Sequence, residues 1–339
     1  MDLGNTMLRE ELSHNIYELQ CQTKCLVQQM NYDKKLVYEA VLEAMYKRSG
    51  GFFFVYGHGG IGKTFLYNAI IGSLRSEGKI VLAVASSGIA SLLLPGGRTA
   101  HSSFKISINI HSESSCHIKK GTQVAKLIKK TCIIVWDEAP MTHRHCFEAL
   151  DRSMRDMLTT DEEPAEDKIF GGKIVLLGGD FRQILPVIVK GSRYDTVKSC
   201  ITQSHLWPHR KIYVLKQNMR LSDIGLNNQQ RSELKKFSDW LLDIREGREA
   251  TIKINEDEEV PSWIKIPESL LLKSEKGEIE DMIREIYEHL PSLYSDPNYL
   301  KERAIITATN EAVDIINSHV LKLIPIEHKT YLSFYSIYK

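Results

Sequence analysis

A glycine-rich segment near residue 60 has the residue types and spacing of a phosphate-binding loop. It matches the pattern G-x-x-x-x-G-K-[ST] with Gly57, His58, Gly59, Gly60, Ile61, Gly62, Lys63 and Thr64. Glycines let the backbone fold into a nest of N–H donors, and the start of the following helix adds positive potential. In such a loop Lys63 reaches the β- and γ-phosphates, and the Thr64 hydroxyl binds Mg²⁺. The alternative is a glycine-rich turn that contains a lysine by chance.

Two adjacent carboxylates, Asp137 and Glu138, follow the apolar run Cys132–Trp136. In enzymes with a phosphate loop, an acidic residue at a strand end holds Mg²⁺, and we assign this role to Asp137. A second carboxylate beside the γ-phosphate can orient and deprotonate the attacking water, which is the role predicted for Glu138. The alternative is an acidic pair on the surface at the end of a strand.

Two further polar residues follow apolar runs farther along the chain. Gln183 comes after the run Ile174–Gly178, and its amide can contact both the γ-phosphate and the attacking water. Arg220 comes after the run Ile212–Leu215 and can stabilise the negative charge of the transition state, as an arginine finger does. Each signal is weak by itself, since an arginine after a strand is more often a surface or salt-bridged residue.

The composition of the chain excludes several classes of protein. Its 339 residues, 42% hydrophobic and 26% charged, are typical of globular domains and exclude a disordered or fibrous chain. No apolar run approaches the ~18 residues of a membrane span, and the N-terminus lacks a targeting pattern, so we expect a soluble intracellular protein. Six cysteines are too few for a disulfide scaffold, and neither Cys21 with Cys25 nor the cluster 143–146 supplies four zinc ligands. The net charge of +1 leaves nucleic-acid binding open.

The elements that must position these residues alternate along the chain. Continuous apolar runs, typical of strands buried on both faces, occupy Phe52–Tyr56, Ile80–Ala85, Cys132–Trp136, Ile174–Gly178, Ile212–Leu215 and Ala304–Ala308. Apolar residues recur three and four positions apart, as in helices, in the segments Leu36–Tyr46, Thr64–Arg75, Phe147–Leu158, Leu234–Ile244 and Glu311–Leu323. This alternation predicts an α/β fold with a parallel sheet flanked by helices.

Six motifs in a fixed order resemble the petite-integration-frequency (Pif) family of 5′-to-3′ DNA helicases, and most of all the copies carried by Helitron-type transposons. The motifs are the phosphate loop and the segments 84–90, 99–102, 137–141, 178–186 and 218–220. The resemblance runs from about Asn31 to Ser333. It implies a P-loop NTPase fold in which two RecA-like lobes surround ATP and single-stranded DNA crosses both.

The resemblance also implies an activity and its residues. The implied reaction is Mg²⁺-dependent ATP hydrolysis coupled to strand separation, in DNA repair, recombination and telomere maintenance. Lys63, Glu138, Gln183 and Arg220 match the family's catalytic positions, and Thr64 and Asp137 match its metal ligands. The family implies a nuclear protein, with the mitochondrion as the alternative, that acts on single-stranded DNA. We also expect no membrane partner; the sequence leaves the oligomeric state open, with a monomer as the expectation.

Two further segments match family elements that touch the DNA backbone. They supply Ser86, Ser87 and Gly88 from one turn and His101 and Ser102 from another. Hydroxyls, backbone N–H groups and histidine suit phosphate contacts that do not depend on base sequence. The alternative for His101 is a local hydrogen-bonded turn.

The sequence departs from the family pattern at three places. Lys34 stands where the family has a glutamine that reads adenine, so the resemblance leaves adenine selectivity open. His58 and Ile61 differ from the usual residues at variable positions of the phosphate loop. The third departure is the second lobe, of which the chain has only the start, and we expect the chain alone to bind Mg-ATP but to unwind DNA poorly or not at all.

The expected organisation has four parts: an N-terminal extension (1–29), a first ATPase lobe (30–220), a connecting segment (221–302) and the start of a second lobe (303–339). Other functions remain possible for the phosphate loop. A GTPase needs an Asn-Lys-x-Asp guanine reader, which the sequence lacks, and a kinase needs an acceptor pocket. The non-enzymatic alternative is a transposon-derived remnant that binds nucleotide without helicase turnover.

Overall fold

A six-stranded sheet, parallel at every pairing, organises the N-terminal unit of the structure, residues 1–246. Its spatial order is β3-β2-β4-β5-β1-β6. The strands are β1 (Gly51–Tyr56), β2 (Ile80–Ala85), β3 (Arg98–Thr99), β4 (Thr131–Asp137), β5 (Ile174–Gly179) and β6 (Lys211–Val214). The predicted α/β fold with a parallel sheet is confirmed.

The structure is a computed structural model that describes residues 5–160, 164–219, 227–253, 263–272, 279–307, 309–326 and 329. The helices of the first unit are α1 (Thr6–Leu12), α2 (Ile16–Gln28), α3 (Tyr32–Tyr46), α4 (Lys63–Ser76), α5 (Gly88–Ser91), α6 (Ala100–Phe104), α7 (Gln123–Lys130), α8 (Arg144–Leu158), α9 (Arg193–Ser199) and α10 (Asn228–Glu246). Within the described residues, no helix has the length and hydrophobicity needed to cross a membrane.

Helices cover both faces of the sheet, which explains why its strands are continuously apolar. Along β1, Phe53 and Val55 pack into one buried cluster with α3 and α4. Phe52 and Phe54 point to the opposite face and pack into a second cluster with α7 and α8. Successive side chains of a strand alternate between faces, so a strand covered on both sides needs apolar residues at every position. Each fully buried large side chain contributes about 1.5–3 kcal/mol.

The first two helices pack on the sheet unit. Helix α2 contacts α4, and α1 contacts α7. The Asn5 side chain caps α1 and donates to the backbone oxygen of Gln123, while Glu11 forms an ion pair with Arg75 of α4 at 2.9 Å. The sequence had not predicted α1, α2 or the short strand β3.

The second unit, residues 247–339, is small in its described part. Strands β7 (Thr251–Ile252) and β8 (Trp263–Ile264) form an antiparallel pair. Four helices follow: α11 (Ile279–Ile286), α12 (Leu290–Leu293), α13 (Pro297–Lys301) and α14 (Asn310–Lys322). Helices α11 and α14 contact each other, and each contributes one buried isoleucine, Ile283 and Ile316.

Most of the predicted elements are confirmed, and one strand is wrong. The first five apolar runs form β1, β2, β4, β5 and β6, and the five helical patterns form α3, α4, α8, α10 and α14. The sixth run, Ala304–Ala308, was predicted as a strand, but residues 304–307 are irregular and Ala308 lies outside the described residues. No strand of the described part pairs with this segment, and Ile306 is exposed. A strand needs a neighbour for its backbone hydrogen bonds, which an apolar run alone does not supply.

Candidate nucleotide-binding site

The phosphate loop has the predicted context: β1 ends at Tyr56 and α4 begins at Lys63. Gly62 precedes the helix with φ +88°, a left-handed conformation that strains any side chain. The loop is also tied to neighbouring segments. Gly57 donates from its backbone to the oxygen of Gly179 at 3.3 Å, and Met219 donates to the oxygen of Gly60 at 3.1 Å. The backbone is therefore fixed before any ligand binds.

The side chain of Lys63 folds back over this loop. It is 7% exposed, and its Nζ donates to the backbone oxygen of Gly57 at 2.7 Å. A neutral carbonyl is a weaker partner for an ammonium than a phosphate oxygen, because charge-assisted hydrogen bonds are about twice as strong. Thr64 follows in the first turn of α4 and remains partly exposed. Both residues occupy the positions that the phosphate-loop motif requires of a lysine and a hydroxyl.

Asp137 ends β4 as a buried carboxylate, 3% exposed. Burial raises its pKa, while the backbone N–H of Glu138, donating to Oδ1 at 2.9 Å, and the charge of Lys63 act in the opposite direction. Strand β4 pairs with β5, and β5 pairs with β1. Parallel strands end at the same edge of a sheet, so the topology places Asp137 at the edge where the phosphate loop begins.

Glu138 is the most unusual residue of the site. Its φ of +51° is left-handed, which is rare for a residue with a side chain. Its Oε2 is buried and has no hydrogen-bond partner in the part of the chain that the structure describes. Burial first, and then the negative charges of Asp137 and Asp180, raise the pKa of the Glu138 carboxyl. Backbone strain together with an unpaired carboxylate oxygen is typical of functional sites.

Tyr67, in the second turn of α4, also belongs to this site and was missed from the sequence. It is fully buried, and its hydroxyl has no hydrogen-bond partner within the described ranges. Burial, with the charges of Asp137 and Glu138, raises the pKa of Tyr67 well above its usual value. A β-carbon on Gly178 of β5 would lie 1.5 Å from the Tyr67 hydroxyl, so only glycine fits there. The position of Tyr67 three residues after Thr64, one helical turn on, is the signal that could have indicated it.

The turn after β5 contains the predicted sensor, Gln183. It is partly buried, and its backbone N–H donates to the oxygen of Asp180 at 3.0 Å. Asp180 is fully buried and pairs with Arg245 of α10, while Arg182 pairs with Glu246. The structure therefore places Gln183 at the same sheet edge as the phosphate loop, in a turn attached to α10. Arg220, predicted as the arginine finger, lies outside the described residues.

The turn after β2 holds the first group of residues that the resemblance assigns to DNA. The Ser86 hydroxyl is used within the protein: it donates to the backbone oxygen of Glu138 at 2.7 Å and accepts from Trp136 and Thr142. Ser87 caps α5 by accepting from the N–H of Ala90 at 3.2 Å. Gly88 is exposed. This turn is thus linked by hydrogen bonds to the backbone of Glu138.

The second group lies on α6. Ser102 is exposed and donates to the backbone oxygen of Thr99 at 2.9 Å. His101 is half-buried, with its Nε2 3.9 Å from the Sγ of Cys146 on α8. Burial lowers the pKa of His101. The side-chain partner of His101 is therefore on another helix rather than in its own turn.

Comparison with protein-family models identifies a helicase family. The model of the PIF1-like helicase family matches residues 29–255, which is more than half of the chain. The matched range contains the phosphate loop, both carboxylates and the turn of Gln183.

Curated relatives are named as DNA helicases. The chain is 31% identical over 164 residues to the ATP-dependent DNA helicase PIF4 of Trypanosoma brucei brucei, which covers 46% of this chain and 18% of the relative. It is 27% identical over 202 residues to Pif1 of Campylobacter jejuni, covering 57% of this chain and 40% of the relative. It is 30% identical over 224 residues to PIF1 of Danio rerio, covering 66% of this chain and 31% of the relative. The chain thus spans less than half the length of these relatives.

Solved structures share the fold. Pif1 helicase from Bacteroides in complex with ADP-AlF3 and single-stranded DNA has a TM-score of 0.50 and 23% identity, covering 63% of this chain and 46% of that chain. An engineered double mutant of the Bacteroides protein has a TM-score of 0.52 and 20% identity, covering 85% of this chain and 56% of that chain. The parallel sheet is thus the RecA-like P-loop architecture of these helicases. Since the family model covers most of the sheet unit and its phosphate loop, the chain belongs to the PIF1-like helicase family.

Proposed function

We propose that this chain forms the ATP-binding motor lobe of an ATP-dependent 5′-to-3′ DNA helicase, in which single-stranded DNA stimulates ATP hydrolysis. The observation that supports it most is Glu138. Its buried, unpaired carboxylate oxygen lies beside Asp137, at the sheet edge where the phosphate loop begins. Membership of the PIF1-like family gives this arrangement its reaction class.

The described residues fit Mg-ATP. The N–H groups of the loop and the ammonium of Lys63 would bind the phosphates, and the Thr64 hydroxyl with the Asp137 carboxylate would hold Mg²⁺. The bound ion supplies charge neutralisation of the phosphate oxygens. The loop is already held by the backbones of Gly179 and Met219, so little conformational freedom is lost when the ligand binds.

Hydrolysis then depends on Glu138. Its Oε2 would accept a hydrogen bond from the attacking water and take its proton as the new bond to the γ-phosphorus forms and the bond from that phosphorus to the bridging oxygen of ADP breaks. The raised pKa of this carboxyl makes it a stronger base than an exposed glutamate. Gln183, in the turn after β5, orients the same water, and Arg220 stabilises the transition-state charge.

Single-stranded DNA is the proposed partner, with Ser86, Ser87, Gly88, His101 and Ser102 as candidate backbone contacts. The hydrogen bond from Ser86 to the backbone of Glu138 supports a physical link between this surface and hydrolysis. Ser87, Gly88 and Ser102 are exposed, so a phosphate backbone can reach them. We also propose a monomer in the nucleus that acts in DNA repair, recombination or telomere maintenance.

The non-enzymatic alternative, a transposon-derived remnant without turnover, gives no reason for a buried Glu138 Oε2 that has no partner among the described residues. A buried polar group without a partner costs about 1–3 kcal/mol. Retention of Glu138 in a strained conformation therefore favours an active site. A kinase is also less favoured, because a general base that activates water leads to hydrolysis of ATP and not to phosphate transfer to an acceptor.

The test is ATP hydrolysis by the purified chain with Mg²⁺, measured with and without a single-stranded oligonucleotide. We expect turnover that the oligonucleotide stimulates and that Lys63→Ala abolishes. Nucleotide binding with no turnover under either condition would favour the remnant. Strand displacement from a duplex with a 5′ single-stranded tail, measured with the same preparation, then reports whether hydrolysis is coupled to unwinding.

A further inference from the structure

Lys34, in the first turn of α3, is a buried cation without a hydrogen-bond partner among the described residues. Its side chain is 0% exposed. Its Nζ makes no hydrogen bond to any residue that the structure describes. An ammonium removed from water without a compensating partner is costly, so such groups are normally paired. The protein alone gives no reason to keep a lysine at this position.

The end of this side chain lies against the phosphate loop. A β-carbon placed on Gly62 would lie 2.8 Å from Cε of Lys34 and 3.4 Å from its Nζ. Gly62 is the residue before α4, where the helix presents unpaired N–H groups and the positive end of its dipole. The Lys34 ammonium is therefore beside the turn that is built to receive phosphate.

Several hydrogen bonds fix Lys34 in this place. The Asn31 side chain caps α3 by accepting from the N–H of Lys34 at 3.1 Å, and it donates to Gln217 at 2.9 Å. The N–H of Lys216 donates to Asp33 at 3.2 Å. Residues 216–217 are thus joined to the start of α3.

The charges around this point favour an anion. Lys34, Lys63 and the start of α4 are all positive, and burial lowers the pKa of Lys34. The nearby carboxylate of Asp33 opposes this shift but does not reach the ammonium as a hydrogen-bond partner. A polyphosphate bound in the loop would supply the missing negative charge.

We propose that Lys34 is a second phosphate-binding lysine, which acts from the base of the loop together with Lys63. This inference rests on the proposed nucleotide site and names the part of the nucleotide that Lys34 recognises. It also predicts that affinity is controlled by the polyphosphate and depends little on the base. A residue at this position that read the base would behave differently, because its contribution would vanish for a ligand without a base.

The experiment compares the wild-type chain with Lys34→Met, in which an unbranched apolar side chain of similar length replaces the ammonium. The matched control is Lys35→Met, since Lys35 is the next residue, also a lysine, but exposed beside Glu39. Dissociation constants are measured by calorimetry in Mg²⁺ for ATP, GTP and tripolyphosphate. We expect Lys34→Met to weaken all three by a similar factor of about 10 to 100, as for loss of a charged hydrogen bond. Lys35→Met should change each by less than about twofold, as for an exposed charge.

A second readout separates binding from folding. Without ligand, Lys34→Met should melt at the same temperature as wild type or higher, because an unpaired buried charge has been removed. Its melting temperature should rise less than that of wild type when tripolyphosphate is added. Lys34→Gln, neutral but polar, should show the same loss of tripolyphosphate binding, and it replaces the methionine variant if that one fails to fold.

The outcomes that contradict the inference differ from those that contradict the proposed function. Unchanged tripolyphosphate affinity in both Lys34 variants overturns the phosphate role. If Lys34→Met weakens the binding of ATP alone, Lys34 recognises the base instead. The same conclusion follows if Lys34→Gln keeps the wild-type affinity for ATP. If the wild-type chain binds neither ATP nor tripolyphosphate, the proposed nucleotide site itself is wrong. If Lys63→Ala abolishes binding and Lys34→Met does not, only the inference about Lys34 fails.

Discussion

The two ends of helix α4 differ in how fully their buried polar side chains are hydrogen-bonded. The phosphate end comprises Lys63 and Tyr67 of the helix with the adjoining Lys34 and Glu138. The clamp end comprises Ser73 and Arg75 of the helix with their partners Tyr38 and Glu11. At the phosphate end Lys34, Tyr67 and Glu138 each have a buried polar atom without a partner among the described residues.

At the clamp end each buried polar side chain has at least one partner, although the Nε of Arg75 makes no hydrogen bond to a described residue. Arg75 is 3% exposed, and its guanidinium donates to the backbone oxygens of Pro95 and Val81 and to the carboxylate of Glu11. The hydroxyls of Tyr38 and Ser73 lie 2.7 Å apart in a hydrogen bond. The same helix thus gives Ser73 and Arg75 at least one partner each at one end, while at the other the ammonium of Lys34 and the hydroxyl of Tyr67 have none among the described residues. Unpaired buried groups reduce stability, so their concentration at the phosphate end indicates that a ligand completes them.

The largest effect that this comparison predicts is on catalysis. Glu138→Gln keeps the shape of the side chain and removes the base, so kcat for ATP hydrolysis should fall about 100- to 10,000-fold. ATP affinity should stay within a few fold, because Lys63 and the loop are untouched. Single-turnover hydrolysis and equilibrium binding on the same protein measure the two quantities. Full activity of this variant would show that Glu138 is not the general base for ATP hydrolysis.

The next effect is on stability at the clamp end. Arg75→Met leaves the Glu11 carboxylate and two backbone oxygens without their donor, so the free energy of unfolding should fall by about 3–5 kcal/mol. ATP affinity of the folded protein should not change. The matched control is Arg98→Met, which also breaks a pair with a glutamate of α1 but at the surface, where Arg98 and Glu10 are 50% and 62% exposed. That change should cost less than about 1 kcal/mol in urea denaturation.

The smallest effects come from removing one hydroxyl at each end of α4. They give the most direct comparison of the phosphate end with the clamp end. Tyr67→Phe deletes an unpaired buried hydroxyl, so stability should stay equal or rise by about 1 kcal/mol. Tyr38→Phe deletes a hydroxyl paired with Ser73, so stability should fall by about 1 kcal/mol. Both are measured by urea denaturation without nucleotide. A loss of equal size in the two variants would mean that the ends of α4 do not differ in the way the structure indicates.

Much of the fold could be predicted because its signals are local. The strands of the sheet are continuous apolar runs, and this is the main sequence signal of a strand that helices cover on both faces. The phosphate loop was recognisable because glycine, lysine and threonine must stand at fixed spacing for the backbone to receive phosphate. Asp137 and Glu138 could be placed at the site because parallel strands end at one edge of a sheet.

The failures have a common cause, which is dependence on distant residues. The run Ala304–Ala308 has the composition of a strand, but residues 304–307 have no pairing neighbour in the described part of the second unit. Helices α1 and α2 are held by contacts such as Glu11 with Arg75, which are far apart in sequence. Tyr67 lies in a correctly predicted helix, but its importance depends on the approach of Gly178 from β5.

The sequence by itself determined the alternation of strands and helices, the phosphate loop and the acidic pair, because each follows from neighbouring residues. Only the tertiary structure decided which polar groups are left without partners. Lys34 is as polar as Lys35 in the sequence, yet one is fully buried against Gly62 and the other is exposed beside Glu39. Burial and pairing depend on how α3, α4 and the sheet edge pack together, and those contacts join residues that no local pattern connects.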